Sequence, residues 1–409
     1  MKVAVVGAGW AGLAAAVDLV AAGASVTLFE AGRRPGGRAR AADISGQALD
    51  NGQHILLGAY RETLALMAWV GANPADLLER HPLRVTDAAG FDLALPRLPA
   101  PVNLAWGLLA ARGVPWPEKL RTAAWMQGLK GRRFRLDGDL TVATWLDAAG
   151  QTGVLRRRLW EPLCFAALNT PPVRASAQIF ANVLRDSLGS PRREDTDLLL
   201  PRTDLGALFP EPATAWLGAR GADLRFGQRV GSVVPAVSGV FIDGAPFDRA
   251  IVAVAPQHLG KLLPPGIPFP TYEYEPIATV YLGYEPTVAL PFALVELSGG
   301  IGQWVVDRGR GVLGAVLSGH GSWETFSDAD LGERLHDETG LPARPIWKRV
   351  IRERRATFSC GPGLRRTDCR TPHPHLFLAG DHTWAEYPAT LEGAGRSGRA
   401  AATAALRAT

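Results

Sequence analysis

Three glycines near the start of the chain have the spacing of a phosphate-binding turn. Gly7, Gly9 and Gly12 form a Gly-x-Gly-x-x-Gly motif, in which the first glycine permits a tight turn and the second lets the backbone approach a pyrophosphate. Glu30 follows 18 residues after Gly12, close to the roughly 20 residues at which a carboxylate binds a ribose 2′-hydroxyl. This spacing predicts dinucleotide binding. The carboxylate argues against a 2′-phosphate, so FAD or NAD is favoured over NADP.

The residues around the motif predict the elements that position it. Residues 3–6 are an apolar run typical of a buried parallel strand, and the Ala-rich run 13–22 favours a helix that Gly23 would end. Residues 25–29 predict a second strand, which Glu30 terminates. The phosphates would then lie on the helix N-terminus, where unpaired N–H groups favour anions. The predicted cofactor-binding residues of this turn are Gly7, Ala8, Gly9, Trp10, Ala11 and Gly12.

Residues 31–38, which end in Gly36-Gly37-Arg38, follow the acid directly. They resemble the corresponding segment of the flavin amine oxidase and phytoene desaturase superfamily, where the glycine pair and its arginine lie along the pyrophosphate of FAD. The resemblance implies FAD rather than NAD, with Gly37 and Arg38 among its ligands. A planar guanidinium suits that role because it can bind two phosphate oxygens at once.

The far end of the chain carries motifs of the same superfamily. Residues 376–381 end in Gly380-Asp381, which resembles a late strand whose acid caps the ribityl or pyrophosphate region of FAD. Residues 387–398 resemble a loop that enters a helix directed at the flavin, where the helix dipole stabilises negative charge. By this resemblance Val230 would meet the adenine through its backbone. The FAD ligands implied near the C-terminus are Gly380, Asp381, Leu391, Glu392 and Ala394.

Composition favours a cytoplasmic enzyme with more than one domain. The chain has 409 residues, which is too long for one ordinary core, and 47% of them are hydrophobic. Its three cysteines have neither disulfide nor C-x-x-C spacing. The chain begins directly with the first predicted strand, so no signal peptide is predicted, and no apolar run is long enough to span a membrane. The net charge of +5 could attract anions. We expect no nucleic-acid partner, because no nucleic-acid module is present, and no metal site, because His373 and His375 lack further ligands.

The predicted fold is α/β, with a Rossmann-like FAD-binding domain of the glutathione reductase type, amine oxidase-like, interleaved with an α+β substrate domain. The FAD-binding domain is predicted to be discontinuous and the substrate domain to fill the gaps. The expected FAD-binding pieces are residues 1–75, 206–262 and 351–409, and the expected substrate-domain pieces are residues 76–205 and 263–350.

Residues 101–135 alternate large apolar side chains with basic ones on interrupted helical segments. Aromatic anchors and cations in this pattern predict a surface that lies on a membrane without crossing it. The alternative is an internal helical hairpin with a solvated basic face. The apolar members are Trp106, Leu108, Leu109, Trp116, Leu120, Trp125, Met126 and Leu129, and the basic members are Arg112, Lys119, Arg121, Lys130, Arg132, Arg133 and Arg135.

Three segments point to one branch of the superfamily. They are residues 50–60, which begin Asp50-Asn51-Gly52-Gln53-His54, then residues 160–170, and residues 354–358. Together they resemble the squalene-associated FAD-dependent desaturases, now understood as hydroxysqualene dehydroxylases of hopanoid and squalene biosynthesis. The resemblance implies an isoprenoid substrate whose allylic hydroxyl is replaced by hydride from reduced FAD.

His54 is the predicted proton donor, held by Asp50, because the segment should pass near the flavin and histidine titrates near neutrality. The alternative is that Asp50, Gln53 and His54 only hydrogen-bond flavin or backbone, with Gly52 beside them. Tyr60 and Tyr387 are the other candidate donors.

Two further functions stay open. A desaturase-like or amine oxidase-like enzyme would run the flavin oxidatively, although Thr390 stands where amine oxidases of the superfamily have an aromatic residue. A non-catalytic lipid-binding flavoprotein would turn nothing over. No second nucleotide fingerprint marks an NADPH site, so the external reductant stays open, and no oligomeric state is predicted.

Overall fold

The computed structural model describes residues 1–44, 47–86, 90–297 and 300–408. In chain order its strands are β1 (Lys2–Val6), β2 (Ser25–Glu30), β3 (Ala41–Ile44), β4 (Gln47–Asp50), β5 (Leu56–Leu57), β6 (Leu78–His81), β7 (Arg84–Thr86), β8 (Asp92–Ala94), β9 (Leu198–Pro201), β10 (Asp223–Phe226), β11 (Val233–Ala236), β12 (Gly239–Ile242), β13 (Ala245–Phe247), β14 (Arg249–Val252), β15 (Tyr274–Gly283), β16 (Leu294–Glu296), β17 (Trp304–Asp307), β18 (Val312–Ser318), β19 (Trp347–Phe358) and β20 (Leu376–Leu378).

Helices fill most of the rest. The α-helices are α1 (Trp10–Ala21), α2 (Arg61–Trp69), α3 (Pro74–Leu77), α4 (Val102–Ala110), α5 (Trp116–Gly131), α6 (Val142–Ala148), α7 (Glu161–Leu168), α8 (Ala177–Asp186), α9 (Leu205–Leu208), α10 (Pro210–Gly218), α11 (Pro256–Leu262), α12 (Asp328–Thr339) and α13 (Leu391–Arg407). Shorter helical turns lie at Arg156–Trp160, Arg193–Thr196, Ser322–Thr325 and Asp381–Thr383.

A parallel sheet forms the centre of the nucleotide-binding half, in the order β10-β2-β1-β14-β20. Side chains alternate along β1, so Val3 and Val5 pack under α1 and α13 while Ala4 and Val6 pack under the antiparallel sheet β11-β12-β13. Because both faces are covered, the strand is apolar throughout, as parallel strands between two layers are. The predicted α/β class with a Rossmann-like sheet is confirmed.

The last helix, α13, packs against the first helix, α1. An added Cβ on Gly398 of α13 would lie 2.1 Å from the carbonyl oxygen of Ala11 in α1, so only glycine allows the two backbones to approach this closely. Strand β20, next to β14, also comes from the final part of the chain. The N- and C-terminal motifs are therefore brought to the same edge of one sheet.

The other half is α+β. Its antiparallel sheet has the order β16-β17-β18-β15-β19, and its helices α5 to α8 share a core around Trp145, Trp160 and Phe180. The predicted domain boundary between residues 350 and 351 is wrong. Strand β19 pairs with β15 from Trp347 to Phe358 and so carries the substrate-side sheet across that boundary.

Candidate functional site

A cavity of about 1000 Å³ lies between the parallel sheet and the antiparallel sheet. Its walls come from both ends of the chain and from the middle. The glycine turn and the Gly380-Asp381 turn form one wall, and β15 to β19 contribute Ile277, Val316 and Thr357 to another. Because no single segment could build it, the cavity exists only when the two halves pack together.

The glycine turn gives each glycine a separate role. Gly7 has a φ of +108°, and an added Cβ there would lie 2.6 Å from the carbonyl oxygen of Ala253. At Gly9 an added Cβ would meet nothing within 4 Å, so the backbone faces open cavity. At Gly12 it would lie 1.9 Å from the carbonyl oxygen of Gly7, which shows that this glycine serves helix packing. Trp10 and Ala11 line the cavity beside Gly9.

Glu30 stands at the end of β2 and lines the same wall. Its carboxylate accepts hydrogen bonds of 2.7 Å from the backbone N–H groups of Ala8 and Gly32. Ala8 therefore supports the acid with its backbone N–H. Val230 also lines the cavity, and the neighbouring Gln228 N–H donates to the Glu30 carbonyl. The ribose and adenine residues predicted from the sequence thus lie together.

An ion pair connects the two ends of the chain across the cavity wall. The Arg38 guanidinium donates to Asp381 and, at 2.7 Å, to the carbonyl oxygen of Ala356 on β19. Burial alone would raise the pKa of Asp381, but the charge of Arg38 lowers it below its usual range. Arg38 lines the cavity beside Gly37, with 38% of its side chain exposed there.

The segment after β4 enters the same cavity. Gly52, Gln53 and His54 line it, and the Gln53 amide donates to the Tyr281 hydroxyl at 2.9 Å. His54 Nδ1 lies 3.2 Å from the carbonyl oxygen of Gly52. Burial lowers the pKa of His54, and the charge of Arg38 lowers it further. His54 is therefore neutral near pH 7 and lies close enough to Arg38 for their charges to interact.

The prediction that Asp50 holds His54 is wrong. The Asp50 carboxylate is 2% exposed and accepts hydrogen bonds from the Leu205 N–H at 2.8 Å and from Arg308 at 3.0 Å. These partners turn it away from the cavity. Burial raises the pKa of Asp50 to about 6, against the attraction of Arg308. Asp50 instead fastens the base of this segment to α9 and to the loop after β17.

Two other predicted site residues point elsewhere. Tyr387 donates its hydroxyl to Asp186 and faces a small side cavity, which it shares with Tyr60. Glu392 is fully buried and accepts hydrogen bonds of 2.9 Å from the Thr63 N–H and hydroxyl, so it caps the start of α2. These side chains were assigned to the cofactor and the chemistry because of their sequence positions alone.

The remaining C-terminal residues do line the cavity. Leu391 and Ala394 lie in the first turn of α13, and the cap of that helix is the Thr390 side chain, which accepts from the Gly393 N–H at 3.1 Å. Gly380 has a φ of +148°, and its N–H donates to Ser397 at 3.0 Å. The N-terminus of α13 is thus aimed at the cavity.

His382 was not found by sequence reasoning. It is 1% exposed and lines the cavity next to Asp381, yet neither ring nitrogen has a hydrogen-bond partner among the described residues. Its Nδ1 lies 3.8 Å from the Asp381 carboxylate, so the ring belongs to the charged cluster that Asp381 forms with Arg38. Its position after Gly380-Asp381 was the one signal in the sequence.

The segment of residues 101–135 forms two helices, α4 and α5, whose apolar residues divide into two sets. Leu108 and Leu129 are buried, and Trp125 packs on Trp145 and Trp160 with ring centroids 5.0 and 5.2 Å apart. The second set is 48 to 64% exposed and makes up what we call the hairpin face: Val102, Trp106, Leu109, Trp116 and Leu120.

The sequence pattern predicts that Lys119 is one of the exposed basic residues of this segment, and this prediction is wrong. Lys119 is 6% exposed, and its ammonium donates to the carbonyl oxygens of Leu109 and Ala111, each at 2.7 Å. It also lies 4.9 Å from the centre of the Trp116 ring. Lys119 therefore satisfies carbonyls at the end of α4 and holds the two helices together behind the hairpin face.

Three comparisons bear on this cavity. The family model described as flavin containing amine oxidoreductase matches residues 10–406. Hydroxysqualene dehydroxylase of Rhodopseudomonas palustris is 31% identical over 99% of this chain and 98% of its own length, and that of Zymomonas mobilis is 28% identical over 98% of each. A putrescine oxidase structure covers 100% of this chain and 99% of its own, with a TM-score of 0.73 and 20% identity, a likeness of fold.

The raised pKa of Asp50 leads to a prediction about stability. The folded protein holds the Asp50 proton up to a pKa of about 6, whereas the unfolded chain releases it near the ordinary value of 3.8. Because the folded state binds the proton more tightly, the free energy of unfolding falls by about 3 kcal/mol as pH rises through this window. Asp50→Asn should remove that fall.

The measurement is urea denaturation of wild type and Asp50→Asn at about pH 4 and about pH 7. On going from the lower to the higher pH, we expect the free energy of unfolding of the wild type to fall by about 3 kcal/mol relative to that of the variant. A difference that stays constant with pH would contradict the prediction and would show that Arg308 keeps the carboxylate ionised throughout.

Proposed function

The chain belongs to the flavin-containing amine oxidoreductase family, where it groups with the hydroxysqualene dehydroxylases, and from this premise we propose that it converts hydroxysqualene to squalene by reductive removal of the allylic hydroxyl. That the protein is an FAD-dependent oxidoreductase follows from the family itself. The observation that carries the proposal is a single cavity in which the dinucleotide-binding turn, His54 and a long apolar wall meet.

The residues of the cavity fit FAD. Gly9 leaves its wall open for the pyrophosphate, and Glu30 lines the same wall at the end of β2, where it would bind the ribose. The N-terminus of α13 supplies positive potential for an anionic cofactor, and Arg38, although paired with Asp381, lines the cavity where its guanidinium would donate hydrogen bonds to phosphate oxygens. Bound in its reduced form, FAD supplies the hydride. The groups that would hold it are the glycine turn, Glu30, Val230, Gly37, Arg38, Asp381, Leu391 and Ala394.

An apolar arm of the cavity suits an isoprenoid chain. It extends from the flavin side toward β7 and β16 and is lined by aliphatic and aromatic side chains. An apolar arm of this kind limits the access of water to the reacting carbon and favours a long hydrocarbon over a polar ligand. Its main members are Leu83, Val85, Leu159, Leu163, Leu294 and Trp304.

His54 is the group that we assign as proton donor. The proposed reaction breaks the C–O bond of the substrate, the hydroxyl leaves as water after it takes a proton, and the carbon gains a hydride. His54 lies beside the Arg38 site, and its Nδ1 is engaged with the Gly52 carbonyl, so Nε2 is the nitrogen left for the substrate. Its lowered pKa makes the protonated ring a stronger acid.

We also propose that the enzyme works at an anionic lipid surface, through the hairpin face. Exposed apolar residues of this size are rarely grouped on a monomer surface, and the same segment of residues 101–135 also carries exposed cations. Arg112 connects the hairpin to the apolar arm, because its N–H donates to the Asp92 carbonyl at 2.9 Å and β8 pairs with β7. Among the described residues, no helix is both long and apolar enough to cross a bilayer. The exposed cations of the segment are Arg112, Arg121, Lys130, Arg132, Arg133 and Arg135.

The test of the proposed reaction is anaerobic. Enzyme reduced with dithionite and freed of excess reductant should regain its oxidised flavin spectrum when hydroxysqualene is added, with squalene as the product. Oxidised enzyme mixed with carotenoid precursors or amines should keep its spectrum. Flavin reduced by such compounds would favour a desaturase-like or amine oxidase-like enzyme, and no reaction in either direction would favour a lipid-binding flavoprotein.

His54→Gln should slow this single turnover by at least about 100-fold, since a positioned acid contributes on the order of 10²–10⁴ to rate. Only the protonated ring donates, and burial lowers the pKa of His54 below the ordinary 6.5. The wild-type rate should therefore rise as pH falls through a pKa below 6.5, and the rate of the variant should be flat. His320→Gln, at an exposed histidine outside the cavity, is the control. An unchanged rate in His54→Gln would remove His54 from the mechanism.

The lipid proposal predicts that the protein sediments with phosphatidylglycerol vesicles and not with phosphatidylcholine vesicles at low salt. Substitution of Trp106, Trp116 and Leu120 together by alanine should weaken binding by more than about tenfold, because each side chain loses apolar area that the bilayer would bury. Trp69→Ala is the matched control, since Trp69 is 54% exposed and lies outside the hairpin. Equal binding by the triple variant and wild type would refute the proposal.

A further inference from the structure

Two segments that the sequence singled out, residues 160–170 and 354–358, meet in the cavity wall. The Asn169 side-chain amide donates to the Thr357 hydroxyl at 2.9 Å, although 188 residues separate them. Both side chains line the cavity. The hydrogen bond therefore joins α7 on one side to β19 on the other, at a position open to a ligand.

Both polar atoms of the Asn169 side-chain amide form hydrogen bonds, which determine its orientation. Asn169 ends α7 with a φ of +47°, a conformation that asparagine tolerates better than most residues. Its Oδ1 accepts from the Gly319 N–H at 2.9 Å, which leaves Nδ2 to donate to Thr357. If the amide turned over, Nδ2 would face the Gly319 N–H, donor against donor, so the observed orientation leaves the Thr357 oxygen as the acceptor, while the Gly319 N–H also donates to the Pro276 carbonyl at 2.9 Å.

The Thr357 hydroxyl can then donate a hydrogen bond to a ligand in the cavity. A threonine hydroxyl has one donor and two acceptor positions. Asn169 uses one acceptor position, and no acceptor among the described residues takes the proton. The side chain is partly exposed to the cavity, and its neighbours in the wall include the apolar Ala166, Ile277 and Val316. Thr357 is thus a hydrogen-bond donor beside these apolar neighbours, and Glu353 and Arg355 of the same strand also line the cavity.

This donor lies at the junction between the apolar arm and the flavin side. The residue before it, Ala356, accepts through its carbonyl oxygen from Arg38 at 2.7 Å, and Arg38 is the partner of Asp381. One step along β19 therefore separates Thr357 from the anchor of the cofactor wall. A polar group of the substrate bound at Thr357 would lie near the place where its carbon must react.

We infer that Thr357, positioned by Asn169, is the residue that recognises the substrate hydroxyl, an inference that rests on the proposed function. A substrate hydroxyl bound there accepts a hydrogen bond from the Thr357 hydroxyl. The hydrocarbon product has no acceptor and therefore leaves the Thr357 donor without a partner. An unpaired donor costs more binding free energy than a weak hydrogen bond does. The same contact thus selects the alcohol and favours release of the product.

The inference is tested by binding, without turnover. Oxidised, FAD-loaded protein is titrated with hydroxysqualene and with squalene, and the perturbation of the flavin spectrum reports each dissociation constant. We expect wild type to bind the alcohol about tenfold more tightly than the hydrocarbon. Thr357→Val, which keeps the shape and removes the hydroxyl, should abolish this preference, because the alcohol loses its hydrogen-bond donor and the hydrocarbon no longer leaves one unpaired.

Thr357→Ser is the second variant, because it keeps the hydroxyl and should keep most of the preference. Equal FAD content in the three proteins shows that each is folded. If Thr357→Val retains the wild-type preference, the inference is wrong even when hydroxysqualene is converted. If wild type binds neither ligand and converts no hydroxysqualene, the proposed function fails and this inference fails with it.

Discussion

The ion pair between Arg38 and Asp381 is the interaction on which the site depends. Asp381 is 4% exposed, and a carboxylate so deeply buried is costly unless a cation is held against it. Arg38 can reach it only when β20 lies beside β14 and α13 packs on α1. The same guanidinium binds the Ala356 carbonyl, so β19 of the other half is held by the same side chain. One pair of charges thus links the two chain ends and both halves around the cavity.

The parts of the fold that the sequence predicts well are those whose physical cause is local. The glycine turn, β1, β2 and the position of Glu30 follow from residue types within thirty positions, and the structure has them with α1 starting three residues earlier than expected. Arg38 and Asp381 were located through resemblance, because they are partners across 343 residues. No local pattern could have paired them.

The residues that sequence reasoning misplaced are those whose partner is set by tertiary packing. Asp50 lies next to the cavity-lining segment, yet Leu205 and Arg308 bind its carboxylate from two distant parts of the chain. Glu392 lies within a cavity-lining helical turn, yet its side chain is buried away from the cavity and caps α2. Lys119 looked like a surface cation, but two unsatisfied carbonyls at the end of α4 lie within its reach. In each case a buried polar group needed a partner, and that need decided the orientation.

The same ion pair also has a consequence for the proposed chemistry. Loss of an allylic hydroxyl gives the reacting carbon cationic character, and an unpaired guanidinium beside it would oppose that charge. Asp381 offsets the charge of Arg38, the lowered pKa of His54 keeps its ring neutral near pH 7, and Thr357 is a neutral donor. These three groups therefore add no net positive charge at the junction. In the proposed reaction the apolar arm would limit the access of water, which would otherwise capture a carbon with cationic character.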